Sequence, residues 1–181
     1  DLRFAQEFFT PVTRPQADPG LRPLALHRIA CIYFDQKKYN KALPKYRQVD
    51  PADLSDDEKA VYDFRLATCY FYQKDFDKAR PVFEKLRTTQ NEYYYPANYY
   101  YAYISYKQGD FQNALKSFRI AGQSELYKPV VPYYLANIRF MQHDYDGVIS
   151  DAATLTASSS PYLTEMQQLV GKSYFEKGQY E

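Results

Sequence analysis

The chain has no tryptophan and only two histidines, two cysteines and six glycines among its 181 residues. Cys31 and Cys69 are too few for a disulfide framework and lack the spacing of a metal-ligand pair. They read as two small buried hydrophobes, compatible with an oxidising or a reducing compartment. His27 and Cys31 stand four apart and would share a helix face, but a zinc site needs three or four ligands and nothing nearby completes the set. The other histidine, His143, falls in a turn and is expected to be solvated. The aspartates of VDPADLSDD (49–57) have neither the spacing nor the glycine of a calcium loop. They read instead as an acidic helix entry that suits the helix dipole. None of the glycines forms a phosphate-binding loop, and no nucleophile elbow or other catalytic motif is present. The expectation is therefore a non-enzyme with no metal and no cofactor.

Charge of one sign is also missing. Twenty-three Lys and Arg face 22 Asp and Glu, a formal net charge of +1. The longest basic runs are pairs such as Lys37–Lys38, always mixed with acids. Without a stripe that tracks phosphates, nucleic acid is not an expected partner. No apolar run approaches the ~18–20 residues of a membrane-spanning helix, and no signal peptide opens the chain. The chain begins Asp1-Leu2-Arg3 without a Met, so its true N-terminus is expected to have been removed.

What is abundant is the aromatic ring: 21 tyrosines and 12 phenylalanines, 18% of all residues. Eight of the fourteen residues in YYYPANYYYAYISY (93–106) are tyrosine. The stretch alone fits a strand, a low-complexity tract or a helix. The surrounding sequence decides. ACIYFDQKKYNKALPKY (30–46), ATCYFYQKDFDKARPVF (67–83), AYISYKQGDFQNALKSF (102–118) and ANIRFMQHDYDGVISDA (136–152) align, and GKSYFEKGQYE (171–181) begins the same way. Anchored on Tyr39, Phe76, Phe111, Tyr145 and Tyr180, the intervals are 37, 35, 34 and 35 residues. A fixed period of this length marks a stacked-repeat architecture.

The pattern resembles the tetratricopeptide repeat, a helix–turn–helix unit, over residues 23–181. The resemblance places a small residue at position 8, where two helices cross: Ala30, Ala67, Ala102, Ala136 and Gly171. Position 20 is Ala42, Ala79, Ala114 and Val148, and position 24 is Tyr46, Phe83, Phe118 and Ala152. Position 7 is Ile29, Leu66, Tyr101, Leu135 and Val170. The turn is held by Lys37, Lys74, Gly109, His143 and Gly178. The fold so implied is all-α, a right-handed α–α superhelix. Residues 1–22 are expected to form a short helix and a proline-rich, extended connector. The array divides at about 23–54, 55–91, 92–128, 129–160 and a partial 161–181. Ser55 to Glu58 reads as a capping box, and Pro161 as the first residue of the last helix. Pro44 and Pro81 predict a small kink or a late start in two second helices. Repeat four, with Val148, Ala152 and TASSS (156–160), should pack most loosely. Because the last helix lacks its partner, the chain is expected to be a piece of a longer repeat protein.

In this register the tyrosine-rich stretch is a first helix. First helices line the concave groove in the family, with positions 2, 5, 9, 12 and 13 facing it. Position 12 is aromatic throughout: Phe34, Phe71, Tyr106, Phe140, Phe175. Tyr99, Tyr103 and Tyr106 share one face, being spaced i, i+4 and i+7. The candidate partner-binding residues are Phe71, Tyr72, Tyr99, Tyr103, Tyr106, Tyr133, Asn137 and Phe140. Rings supply contact area with little entropy loss, and a hydroxyl orients a ligand. The same rings could instead pack in a core. Some members of the family clamp a peptide carboxylate with Lys and Asn at positions 5 and 9. Here those positions are His27/Cys31, Phe64/Thr68, Tyr99/Tyr103 and Tyr133/Asn137, and only Asn137 fits.

The function implied is a non-catalytic protein–protein interaction scaffold, holding a peptide or protein segment in an aromatic-lined groove. Two alternatives stand beside it: a glycan-binding module with tyrosine platforms, and a structural spacer within a larger envelope protein. Divergent Tyr- and Asp-rich repeats resemble those of bacterial proteins, including ones exported to the cell envelope. That setting is favoured slightly over the cytoplasm.

Overall fold

The computed structural model describes residues 2–14, 20–156 and 160–178. The expectations for the middle of the proline-rich connector (15–19), for most of TASSS (157–159) and for Tyr180 lie outside the described residues. Two units form, residues 1–89 and 90–181. Both are built from helices, with no strand among the described residues.

Unit 1 holds α1 (Leu2–Phe9), α2 (Arg22–Asp35), α3 (Tyr39–Tyr46), α4 (Asp56–Tyr72) and α5 (Phe76–Leu86). Unit 2 holds α6 (Tyr94–Lys107), α7 (Phe111–Ala121), α8 (Val131–Met141), α9 (Tyr145–Ser150), α10 (Ala152–Thr156) and α11 (Leu163–Glu176). Helices pack in consecutive pairs: α2 with α3, α4 with α5, α6 with α7, α8 with α9. None is long and apolar enough to cross a membrane, among the described residues.

The turn within each pair has one geometry. Lys37, Lys74 and His143 take φ of 57°, 61° and 61°, and Gly109 and Gly178 take 77° and 70°. The N–H of the turn residue donates three residues back, as Lys74 does to Phe71 and Gly109 to Tyr106. The next N–H donates five back, as Asp75 does to Tyr70 and Asp110 to Ser105. This is the Schellman closure of a helix, which needs a left-handed residue. Glycine meets that need at no steric cost, whereas Lys37, Lys74 and His143 meet it under strain. In repeats three and four an aspartate then caps the second helix. Asp110 accepts from the Asn113 N–H, and Asp144 from the Gly147 N–H.

Each of the first three crossings pairs two small residues. Ala30 and Ala42 are fully buried, as are Ala67, Ala79, Ala102 and Ala114. The close approach lets Tyr46, Phe83 and Phe118 bury completely beside them, each worth ~1.5–3 kcal/mol of apolar transfer. Gly171 is the exception: it is exposed, and an added Cβ would meet nothing within 4 Å.

The Ser55 side chain accepts from the Glu58 N–H while Glu58 accepts from the Ser55 N–H, a closed capping box. These bonds from Ser55, ahead of the Arg28 charge, hold the Glu58 carboxyl below its usual range.

Two local expectations need correction and two are refined. Pro161 does not open α11, which starts at Leu163 behind Tyr162. Pro44 and Pro81 sit inside α3 and α5, which sets aside the late start and leaves the kink of the two alternatives. Among the described residues of the connector, 11–13 make a 3-10 turn and Arg14 is extended. In repeat four the second helix is interrupted at Asp151, which separates α9 from α10. There Arg139 of α8 donates to the Gly147 carbonyl (2.9 Å) and to the Asp151 carboxylate (2.7 Å).

Candidate interaction surface

The rings follow two rules set by the repeat. The first concerns position 12. Phe34 meets Tyr39, Phe71 meets Phe76, Tyr106 meets Phe111 and Phe140 meets Tyr145, at centroid separations of 5.3, 5.7, 6.4 and 5.3 Å. Each pair joins the end of a first helix to the start of its second helix. Phe71, Tyr106 and Phe140 therefore brace the turns of their own hairpins, whatever else they touch.

The second rule concerns position 5 in unit 2. Tyr99 stacks on Tyr127 at 4.4 Å with planes 15° apart. Tyr133 stacks on Tyr162 at 4.4 Å and 17°. Tyr127 and Tyr162 lie in the connectors ahead of α8 and α11, one repeat apart.

Tyr134 sits at the centre. Its ring stacks on Phe118 at 4.8 Å and 6°. Tyr99, Tyr103, Tyr106, Tyr133 and Tyr162 surround it edge-on at 5.2–6.2 Å. Burial drives the Tyr134 hydroxyl far above the usual tyrosine range, and hydrogen bonding with Tyr99 and Tyr162 adds to this. Tyr134 was not among the sequence candidates, nor were Tyr127 and Tyr162. The 35-residue spacing of Tyr127 and Tyr162 was the available signal for that pair.

The structure thus gathers Tyr99, Tyr103, Tyr106 and Tyr133 around one buried ring, with Asn137 and Phe140 further along α8. Tyr103 and Tyr106 are half-buried. Burial raises both hydroxyls above their ordinary range, helped by neighbouring phenols. The Lys107 ammonium lies 5.7 and 5.9 Å from the centres of these two rings, within reach of a cation–π attraction. The Tyr106 and Tyr133 hydroxyls have no hydrogen-bond partner among the described residues. Asn137 donates its amide to the Tyr133 carbonyl (2.8 Å), which leaves its side-chain oxygen to accept.

Phe71 and Tyr72 belong to unit 1. Tyr72 is 51% exposed and lies flat against Tyr39, 4.2 Å away with planes 3° apart. Burial and the Tyr72 contact push the Tyr39 hydroxyl up to about 12. Thr68, at position 9, donates to the Phe64 carbonyl and so serves its own helix.

His27 is buried rather than presented to a ligand, and Cys31 accepts the Tyr46 hydroxyl at 3.5 Å. Among the described residues no group of three or more His, Cys, Asp or Glu side chains could hold a metal. His143 is exposed, its Nδ1 2.8 Å from the Tyr145 hydroxyl.

No curated protein matches the chain. Residues 62–89 match the family model of the tetratricopeptide repeat. That span covers most of α4 and all of α5, and its turn, small-residue crossing and ring pair recur in the other hairpins. Such repeats are typically non-catalytic modules of protein interaction. Residues 62–89 thus form a tetratricopeptide repeat, and the helix pairs around them are consistent with a solenoid of such repeats.

Proposed function

We propose that unit 2 binds an extended protein segment on the face formed by Tyr103, Tyr106, Tyr133, Asn137 and Phe140. The observation that carries this reading is the division of labour within the tyrosines. Their rings are held by packing around Tyr134, while the Tyr106 and Tyr133 hydroxyls have no partner within the described residues. Packing alone favours phenylalanine, because a hydroxyl left unpartnered is costly where water is scarce. Rings fixed in advance lose little entropy on binding. The hydroxyls donate to peptide carbonyls, and the Asn137 oxygen accepts a peptide N–H. The exposed Tyr72, backed by Tyr39, offers unit 1 a separate ledge of the same kind. Glycan binding is less well supported, since a sugar needs an open ring face. Stacked neighbours occupy one face each of Tyr99, Tyr133 and Tyr134.

The test is selection from a random displayed peptide library, followed by chemical-shift mapping of the best sequence. The expected result is a family of enriched peptides whose shifts fall on α6 and α8. No enrichment, or shifts confined to other helices, would overturn the assignment.

A further inference from the structure

One buried titratable group plays no part in the surface above. His27 of α2 is 1% exposed, and neither ring nitrogen has a hydrogen-bond partner among the described residues. It is boxed by Tyr46 of α3 at 6.1 Å and Tyr62 of α4 at 6.2 Å, centroid to centroid. Neither phenol is available to the imidazole. The Tyr46 hydroxyl donates to Cys31 Sγ and the Tyr62 hydroxyl to the Tyr46 carbonyl. The box also lies where α2, α3 and α4 meet, so anything that opens it parts three helices of unit 1.

Of the charged groups around it, Arg28 and Arg65 oppose a proton on the ring and only Glu58 favours one. Arg28 on the same helix is paired with Glu58 of α4 at 2.9 Å. Arg65 of α4 is paired with Asp35 at 3.0 Å and donates to the Cys31 carbonyl. Glu58 is already spent on Ser55 and Arg28. The Cys31 and Cys69 thiols belong to the adjoining core, and the Glu7 carboxyl of α1 is exposed. A proton on His27 would put a cation among two tyrosines, near two arginines, with no carboxylate of its own.

We infer that His27 makes unit 1 acid-sensitive: protonation of this one ring loosens the packing of α2 on α3 and α4, and unit 2 lacks any counterpart. Burial, with the neighbouring Arg28, lowers the affinity of His27 for a proton from the ordinary 6.5 to about 4. The unfolded chain therefore takes up this proton first. The stability that His27 confers is fully present above pH ~6.5 and is lost as pH falls toward 4. Below that it levels off. Over this window the folding equilibrium of unit 1 should weaken by about two orders of magnitude on account of His27.

The test uses the fact that the chain has only two histidines. The ring proton signals of His27 and His143 are followed by NMR from pH 7.5 to 4, with His143→Gln used to assign them. The denaturation midpoint of unit 1 is measured over the same range in the parent, in His27→Phe and in His27→Leu. The expected result is a His27 signal that stays neutral in the folded state below pH 6. The parent's unit 1 loses stability down the window, and a His27 variant that folds shows a flatter profile than the parent. A His27 signal that titrates near 6.5 with the fold intact would overturn the inference. So would a variant profile as steep as the parent's. Should neither variant fold, the parent's NMR titration decides alone.

Discussion

The two units build the same hairpin and fill it differently. In unit 1 the core around Ala30 and Ala42 mixes Tyr46, Tyr62, Cys69 and aliphatics, with His27 sealed beside it and ion pairs from Arg28 and Arg65 at its edge. Its polar groups are largely turned inward onto one another. In unit 2 the core around Ala102 and Ala114 grades outward into a shell of tyrosines. Its Tyr106 and Tyr133 rings are half-buried, at the boundary between core and solvent. Backbone geometry and small-residue crossings are common to both, so the fold does not dictate which unit can recognise a partner. The two units differ instead in the residues at positions 5, 6 and 9 of their first helices.

Removal of the central ring should part the two units most. Tyr134→Ala leaves a cavity beneath five other rings and should cost unit 2 about 3–5 kcal/mol, as large-to-small core changes do. Unit 1 should keep its own denaturation midpoint. Tyr134→Phe should lose only the hydrogen bonds with Tyr99 and Tyr162, about 1 kcal/mol. If both substitutions cost the same, the rings are not what organises the shell.

Overpacking a crossing comes next. Ala67→Leu should cost unit 1 about 1–3 kcal/mol, because no space surrounds that fully buried position. Gln73→Leu, exposed beside the turn, should stay within about 0.5 kcal/mol. The reverse order in thermal melts would mean that the register is wrong. Ser55→Ala should then remove about 1 kcal/mol from unit 1 alone by opening the capping box.

The smallest effect exchanges a feature of the two units. Lys74→Gly relieves a left-handed lysine and should stabilise unit 1 by roughly 0.5–1 kcal/mol. Gly109→Ala imposes that strain on unit 2 and should destabilise it by a similar amount, with no clash to confuse the result. Equal and opposite shifts would show that the turns are interchangeable.

These contrasts also explain what could be read in advance. The hairpins, their turns and their crossings were legible because steric need recurs at a fixed interval: a small residue at each crossing, a left-handed residue at each turn. The role of Tyr134 was not. It stands at position 6, where the other first helices carry Arg28, Arg65, Tyr100 and Leu169, so no repeated residue type pointed to it. The candidate rings were found by their helical face, yet that face could not reveal that position 12 braces the turn. The misplaced start of α11 has the same origin. Proline marks a helix entry only to within a residue or two, and here Tyr162 takes the cap.

The central claim is that packing fixes the tyrosine rings of unit 2 while their hydroxyls serve a partner. The most direct measurement compares the parent with Tyr106→Phe/Tyr133→Phe, recording the melting temperature and the affinity for the peptide selected on unit 2. The account predicts an unchanged melting temperature and an affinity lower by about tenfold, the worth of one to two net hydrogen bonds. An affinity equal to the parent's would contradict it, and the hydroxyls would then have no part in recognition.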